Sequence, residues 1–144
     1  MFDQLKAIAG QAAAAKAKYI EEAKTLLTPA ILSVFKFDEV EKVKWTQYTP
    51  YFNDGEPCVF SVGDIYVRSN KSTEEEGEED EGFEYISSYN KKVPDGFSAE
   101  AWAALNELSD ALSGMHDVLE EAFGDHVQVF VTREGIEVEE YEHD

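Results

Sequence analysis

A chain of 144 residues, 43% of them hydrophobic, is long enough to bury one core, and it has no run of about 18 apolar residues to cross a membrane. Thirty-one acidic against twelve basic residues give a net charge of −19. That excess disfavours direct binding to nucleic-acid phosphates or to an anionic membrane, both of which are recognised through Lys and Arg, and it favours a basic protein partner.

The charge is unevenly spread. Residues 1–58 carry eight acids and seven lysines, whereas residues 59–144 carry twenty-three acids and five bases. The negative potential therefore belongs to the later part of the chain. The N-terminus is Ala-rich but lacks a basic n-region and an apolar h-region, so no secretory signal is expected. Cys58 is the single cysteine; it has no partner for an internal disulfide, which fits a reducing cytosol.

In chain order, a helix is predicted over about 2–27, where Leu5, Ile8, Ala12, Ala15, Tyr19, Ala23 and Leu26 recur every three or four positions. This stripe packs either on the protein's own core or on a second copy, the latter making the helix an oligomerisation element. Thr28-Pro29 reads as an N-cap and first helical position, opening a second short helix through Phe35. From Val40 the period becomes two, with Glu41, Val43, Trp45 and Gln47 alternating against Lys42, Lys44, Thr46 and Tyr48. Val59–Val67 is rich in β-formers, and the Pro, Asn, Asp and Gly of residues 49–57 make the join a long-looped hairpin. Residues 72–82, STEEEGEEDEG, are predicted to be a mobile acidic loop with no apolar anchor. Phe83, Tyr85, Ser87 and Tyr89 alternate as a further strand.

The next helix is marked by Ser98 as N-cap, by Phe97 stapling onto Trp102, by a core stripe of Leu105, Leu108, Leu112, Met115 and Leu119, and by Gly124 as its stop. HVQVFVT and IEVEEYE flank Arg133-Glu134-Gly135 as a tight hairpin. The expected fold is a single α+β domain over 1–144, an antiparallel sheet of about five strands packed against two long helices.

No motif specifies a reaction. Cys58, His116, His126 and His143 have no nucleophile or zinc signature around them, residues 72–82 lack a calcium-loop pattern, and Gly63, Gly77, Gly82 and Gly96 fit no phosphate-binding loop. No catalytic residue, metal site or cofactor is expected, and a binding protein is favoured over an enzyme. Two constellations can bind. The first is aromatic, Trp45, Tyr48, Tyr51 and Phe52 with Asp54, which serves either as a stacking or partner-contact site or as cover for the sheet's end. The second is acidic. Glu100, Glu107, Asp110, Asp117 and Glu121 lie opposite the apolar stripe, and Glu137 and Glu139 follow. Helical neighbours three or four apart sit about 5–6 Å from each other, close to the spacing of phosphates along a strand. The alternative is an ordinary solvated helix face.

WTQYTPYFNDGEPCVFSVGD and VTREGIEVEEYEHD resemble segments of small acidic proteins found in tailed bacteriophages. The resemblance implies a setting, the cytoplasm of an infected bacterium, where such proteins block host nucleases or defence proteins, some by mimicking DNA. It transfers no functional residues. The function expected is thus inhibition of a basic host partner through acidic charge, without direct nucleic-acid or membrane binding. Its rivals are a nucleotide-binding sponge built on the aromatic loop, provided that Lys42, Lys44, Lys91 and Lys92 converge there, and an assembly protein acting through the N-terminal helix.

Overall fold

Strand β1 (Val40–Tyr48) runs through the middle of an antiparallel sheet because its partners flank it on both sides. The computed structural model describes all residues except 51–54, 56–57, 73–81, 87–91 and 143–144. Most of the acidic run, Tyr51, Phe52, Asp54, Ser87, Tyr89, Lys91 and His143 thus lie outside the described residues. On one flank of β1 come β2 (Ser61–Val62) and β3 (Tyr66–Ser69), then β4 (Phe83–Tyr85); on the other come β5 (Val127–Thr132) and β6 (Gly135–Glu140). The fold is α+β, as expected, with six strands rather than about five. The extra strand arises because the Val59–Val67 segment is interrupted at Gly63. An added Cβ there would lie 3.0 Å from Thr46 Oγ1, while the Gly63 N–H bonds the Thr46 carbonyl at 2.7 Å.

Alternation along β1 separates two faces. Val43, Trp45 and Gln47 join Val67, Val129 and Val131 in the core, and a bulge at Glu41 lets Val40 join them too. Glu41 is consequently turned outward, where its carboxylate pairs with Arg68 Nε at 2.7 Å. Against this face pack α1 (Phe2–Leu32), α2 (Ala99–Ser113) and α3 (His116–Phe123), through Leu27 and Ile31, then Trp102, Leu105, Leu108 and Leu112, then Val118 and Leu119.

The helices differ from their prediction in two places. Thr28-Pro29 does not open a second helix: α1 continues through Pro29 and tightens into a 3-10 turn over Ser33–Lys36. Proline inside a helix costs about 3 kcal/mol through its missing N–H and its clash with the carbonyl four residues back. Burial of Leu27, Ile31, Val34 and Phe35 around it, at about 1.5–3 kcal/mol each, outweighs that cost. The single helix expected over 98–123 is two, because Gly114 ends α2, its N–H bonding the carbonyls of Ala111 and Leu112. The start of α2 is as expected. Ser98 Oγ accepts the Ala101 N–H at 3.1 Å, and the Phe97 and Trp102 rings lie 5.6 Å apart. Glu39 adds a second cap by accepting the Ser98 N–H.

Both tryptophans are buried, but only Trp45 is tied by a hydrogen bond. Its Nε1 donates to Gln47 Oε1 at 2.9 Å, whereas Trp102 Nε1 has no partner among the described residues. Trp45→Phe should therefore destabilise more than Trp102→Phe, because only the former orphans a buried acceptor. Equal shifts in urea midpoint would contradict that assignment.

The hairpin β5–β6 turns on Arg133-Glu134 and Gly135, as the sequence indicated, and the Arg133 guanidinium donates to the Phe35 and Phe37 carbonyls. At the other end of β5, Asp125 latches the residue after β1: its carboxylate accepts from Thr49 N at 2.8 Å and Thr49 Oγ1 at 2.7 Å, and also from His126 N. Partial burial raises the Asp125 pKa, but these hydrogen bonds and the neighbouring His126 outweigh it, leaving the pKa below the ordinary 3.8. Asp125→Ala should cost about 0.5–1.5 kcal/mol at neutral pH, a modest loss because the hydrogen bonds are exposed to solvent. A depressed carboxylate contributes fully above its unfolded pKa and less as pH falls through the folded one. The stability gap between wild type and Asp125→Ala should hence close below pH 3.8; a gap that persists in acid would show that the latch does not depend on the charge.

Candidate binding surfaces

The sheet's second face carries the alternate residues of each strand, and register aligns them in rows. Tyr85, Tyr66, Lys44, Phe130 and Glu137 form one row across β4, β3, β1, β5 and β6. Phe83, Arg68 and Lys42 form a second, and Thr46, Gln128 and Glu139 a third. Aromatic rings on this face shield the lysine charges. Lys44 Nζ sits 4.1 Å from the Phe83 ring centre and Lys42 Nζ 4.9 Å from that of Phe130. Between the strands lies a groove of about 410 Å³ lined by Lys44, Thr46, Tyr48, Tyr66, Gln128 and Tyr141, with the Tyr48 and Tyr141 rings 5.5 Å apart.

This arrangement changes the expected aromatic site. Trp45 belongs to the core, 1% exposed and edge-on to Phe123, so it offers no stacking surface. It was grouped with Tyr48 by sequence proximity, but residues three apart on a strand point to opposite faces. Tyr48 does line the groove, while Tyr51, Phe52 and Asp54 lie outside the described residues. Of the four lysines whose convergence was in question, Lys42 and Lys44 share the second face, and Lys92 is exposed. Tyr66, Gln128 and Tyr141 were missed. For the first two, the same period-two count that found the valine face would have found them.

The acidic residues are all at or near the surface. Glu100, Glu107 and Asp110 are exposed on α2, opposite Leu105, Leu108 and Leu112. Asp117 is half-buried in the first turn of α3, Glu121 is exposed near its end, and Glu137 and Glu139 are exposed on the edge strand β6. The break at Gly114 means that two helices carry the five helical carboxylates, so one helical repeat does not set the distance from Asp110 to Asp117.

Among the described residues no group of three His, Cys, Asp or Glu could hold a metal ion. Cys58 is half-buried just ahead of β2, and His126 faces Asp125 at 3.6 Å. No described helix is long and apolar enough to cross a membrane. No protein family, curated protein or solved structure matches this chain.

Proposed function

We propose that the protein is a non-enzymatic, phage-type binder that sets the carboxylates of α2, α3 and β6 against a basic partner. That partner is a nucleic-acid-binding or defence protein in the cytoplasm of an infected bacterium, blocked through mimicry of nucleic-acid charge. The observation that supports this reading is missing compensation. No Lys or Arg occurs anywhere in residues 93–132. Among the described residues no ion pair reaches Glu100, Glu107, Asp110, Asp117 or Glu121, whereas the glutamates of α1 pair with their own lysines, Lys18 with Glu22 and Lys24 with Glu21. A surface that only has to remain in solution intersperses both signs, and unrelieved like charge costs stability. A basic protein would supply the missing cations.

The test is retention of a stoichiometric basic protein from bacterial lysate, released by salt and displaced by duplex DNA. Retention that ignores both salt and DNA would overturn the reading.

The groove on the second face supports a different reading, capture of a small planar ligand between Tyr48, Tyr66 and Tyr141 with Gln128 and Thr46 as hydrogen-bonding groups. A nucleotide released on denaturing the purified protein, and lost from Tyr66→Ala, would favour this reading over charge mimicry.

A further inference from the structure

Residues 1–19, Met1 and the start of α1, are exposed throughout, and Ile20 is the first to pack on the core. At 1.5 Å per residue this free arm is about 28 Å long. Its apolar side chains meet water: Met1 is 92% exposed, Phe2 78%, Leu5 59%, Ile8 62% and Tyr19 42%. Water is a poor environment for such a row, and the arm's own helix offers nothing to cover it.

Two independent features indicate what covers it. The first is the heptad pattern. Met1, Leu5, Ile8, Ala12, Ala15 and Tyr19 alternate at spacings of four and three, the seam of a coiled coil, and Glu22 ends it. The core-facing row of Ile20, Ala23, Leu27 and Ile31 lies roughly 85° further round the helix, so the seam and the body contact do not compete. If a second copy lies antiparallel with residue 1 beside residue 19, every seam position meets another. Leu5 then faces Ala15 of the other copy, Ile8 faces Ala12, and Met1 faces Tyr19, so that in the middle layers a bulky aliphatic side chain meets an alanine. Lys16 falls near Gln4, and Lys18 near Phe2, so no lysine opposes another. The second feature is where the body begins. The register that seats bulky against small keeps the overlap within residues 1–19, so the pair stops where the body begins.

Charge selects the same orientation. Residues 1–19 carry +2 and the remainder of the chain −21. A parallel pair would set two strongly acidic bodies side by side and Glu22 against Glu22. An antiparallel pair holds the bodies at opposite ends of an arm about 28 Å long, well beyond the screening length of about 8 Å. We infer that residues 1–19 join two copies of this chain in an antiparallel helix pair, independent of the acidic surface that would face a basic partner.

Sedimentation equilibrium of the full chain should give a monomer–dimer equilibrium that is insensitive to added salt. Leu5→Glu with Ile8→Glu should raise its dissociation constant by roughly 100-fold, since each seam charge is buried twice in the pair. The near-ultraviolet circular dichroism of buried Trp45 and Trp102 should stay unchanged, reporting an intact body. Orientation is read by cysteine cross-linking in a Cys58→Ser background. Gln11→Cys lies next to the two-fold axis and should link readily, whereas the two copies of Gln4→Cys are roughly 18 Å apart along the pair and should not. A monomer at every concentration, a dimer unaffected by the double substitution, linking at both positions or at neither, or a monomeric arm that instead binds anionic vesicles would each overturn the inference.

Discussion

Gln47→Leu is expected to lower the unfolding free energy by about 3 kcal/mol or more, a loss out of proportion to the removal of one neutral side chain. Gln47 is fully buried in the middle of the sheet, and its amide is used completely on described partners. Nε2 donates to the Leu119 carbonyl at 2.9 Å and to the Gly124 carbonyl at 2.8 Å, while Oε1 accepts from Trp45 Nε1. Those two carbonyls belong to the last turn of α3 and its cap, so one side chain ties the central strand to a helix end. Leucine has nearly the same volume but leaves an indole N–H and two carbonyl groups without that partner, each costing about 1–3 kcal/mol where no water replaces it. Some of this is returned by the apolar contact that leucine gains. Gln47→Glu should be worse, because a carboxylate would face two carbonyl oxygens. Urea unfolding would show the midpoint falling with the slope unchanged. A leucine variant as stable as wild type would mean that the network adds no stability.

Reversing Glu107, Asp110, Asp117 and Glu121 to lysine should weaken binding to the proposed basic partner by about 100-fold or more, since close charge pairs across interfaces couple by about 1.5–7 kcal/mol each. The net charge would remain negative, and the apolar residues of α2 and α3 would be untouched, so the fold should persist. Wild-type affinity should fall steeply with salt, because exposed charges are screened beyond about 8 Å at physiological ionic strength. Tyr51→Ala with Phe52→Ala should matter less. Should affinity ignore salt, and the aromatic pair abolish binding while the four reversals do not, charge mimicry is wrong and the stretch 45–62 becomes the contact surface.

The α+β class, the helix start at Ser98 with its Phe97–Trp102 staple and the β5–β6 hairpin were legible because each depends on contacts within a few residues. Where the reading departed, a distant contact had decided. Pro29 stays inside α1 because Ile31 and Phe35 are held by the core, a force that no local rule contains. Gly114 splits a helix whose apolar spacing runs on undisturbed from Leu112 to Met115 to Leu119, so periodicity alone hid the break.

By itself the sequence determined how acidic the protein is, where that acid concentrates and which short segments form helix or strand, because composition and period are properties of the chain. Only the tertiary structure decided which aromatic residues are core and which line a groove. Trp45 and Tyr48 stand three residues apart, and the pairing of β1 with β3 and β5 sends one inward and the other outward. Nor could the sequence say which half of α1 is covered. Its apolar stripe runs the length of the helix, but the body reaches back only as far as Ile20, and the apolar side chains before that point are exposed.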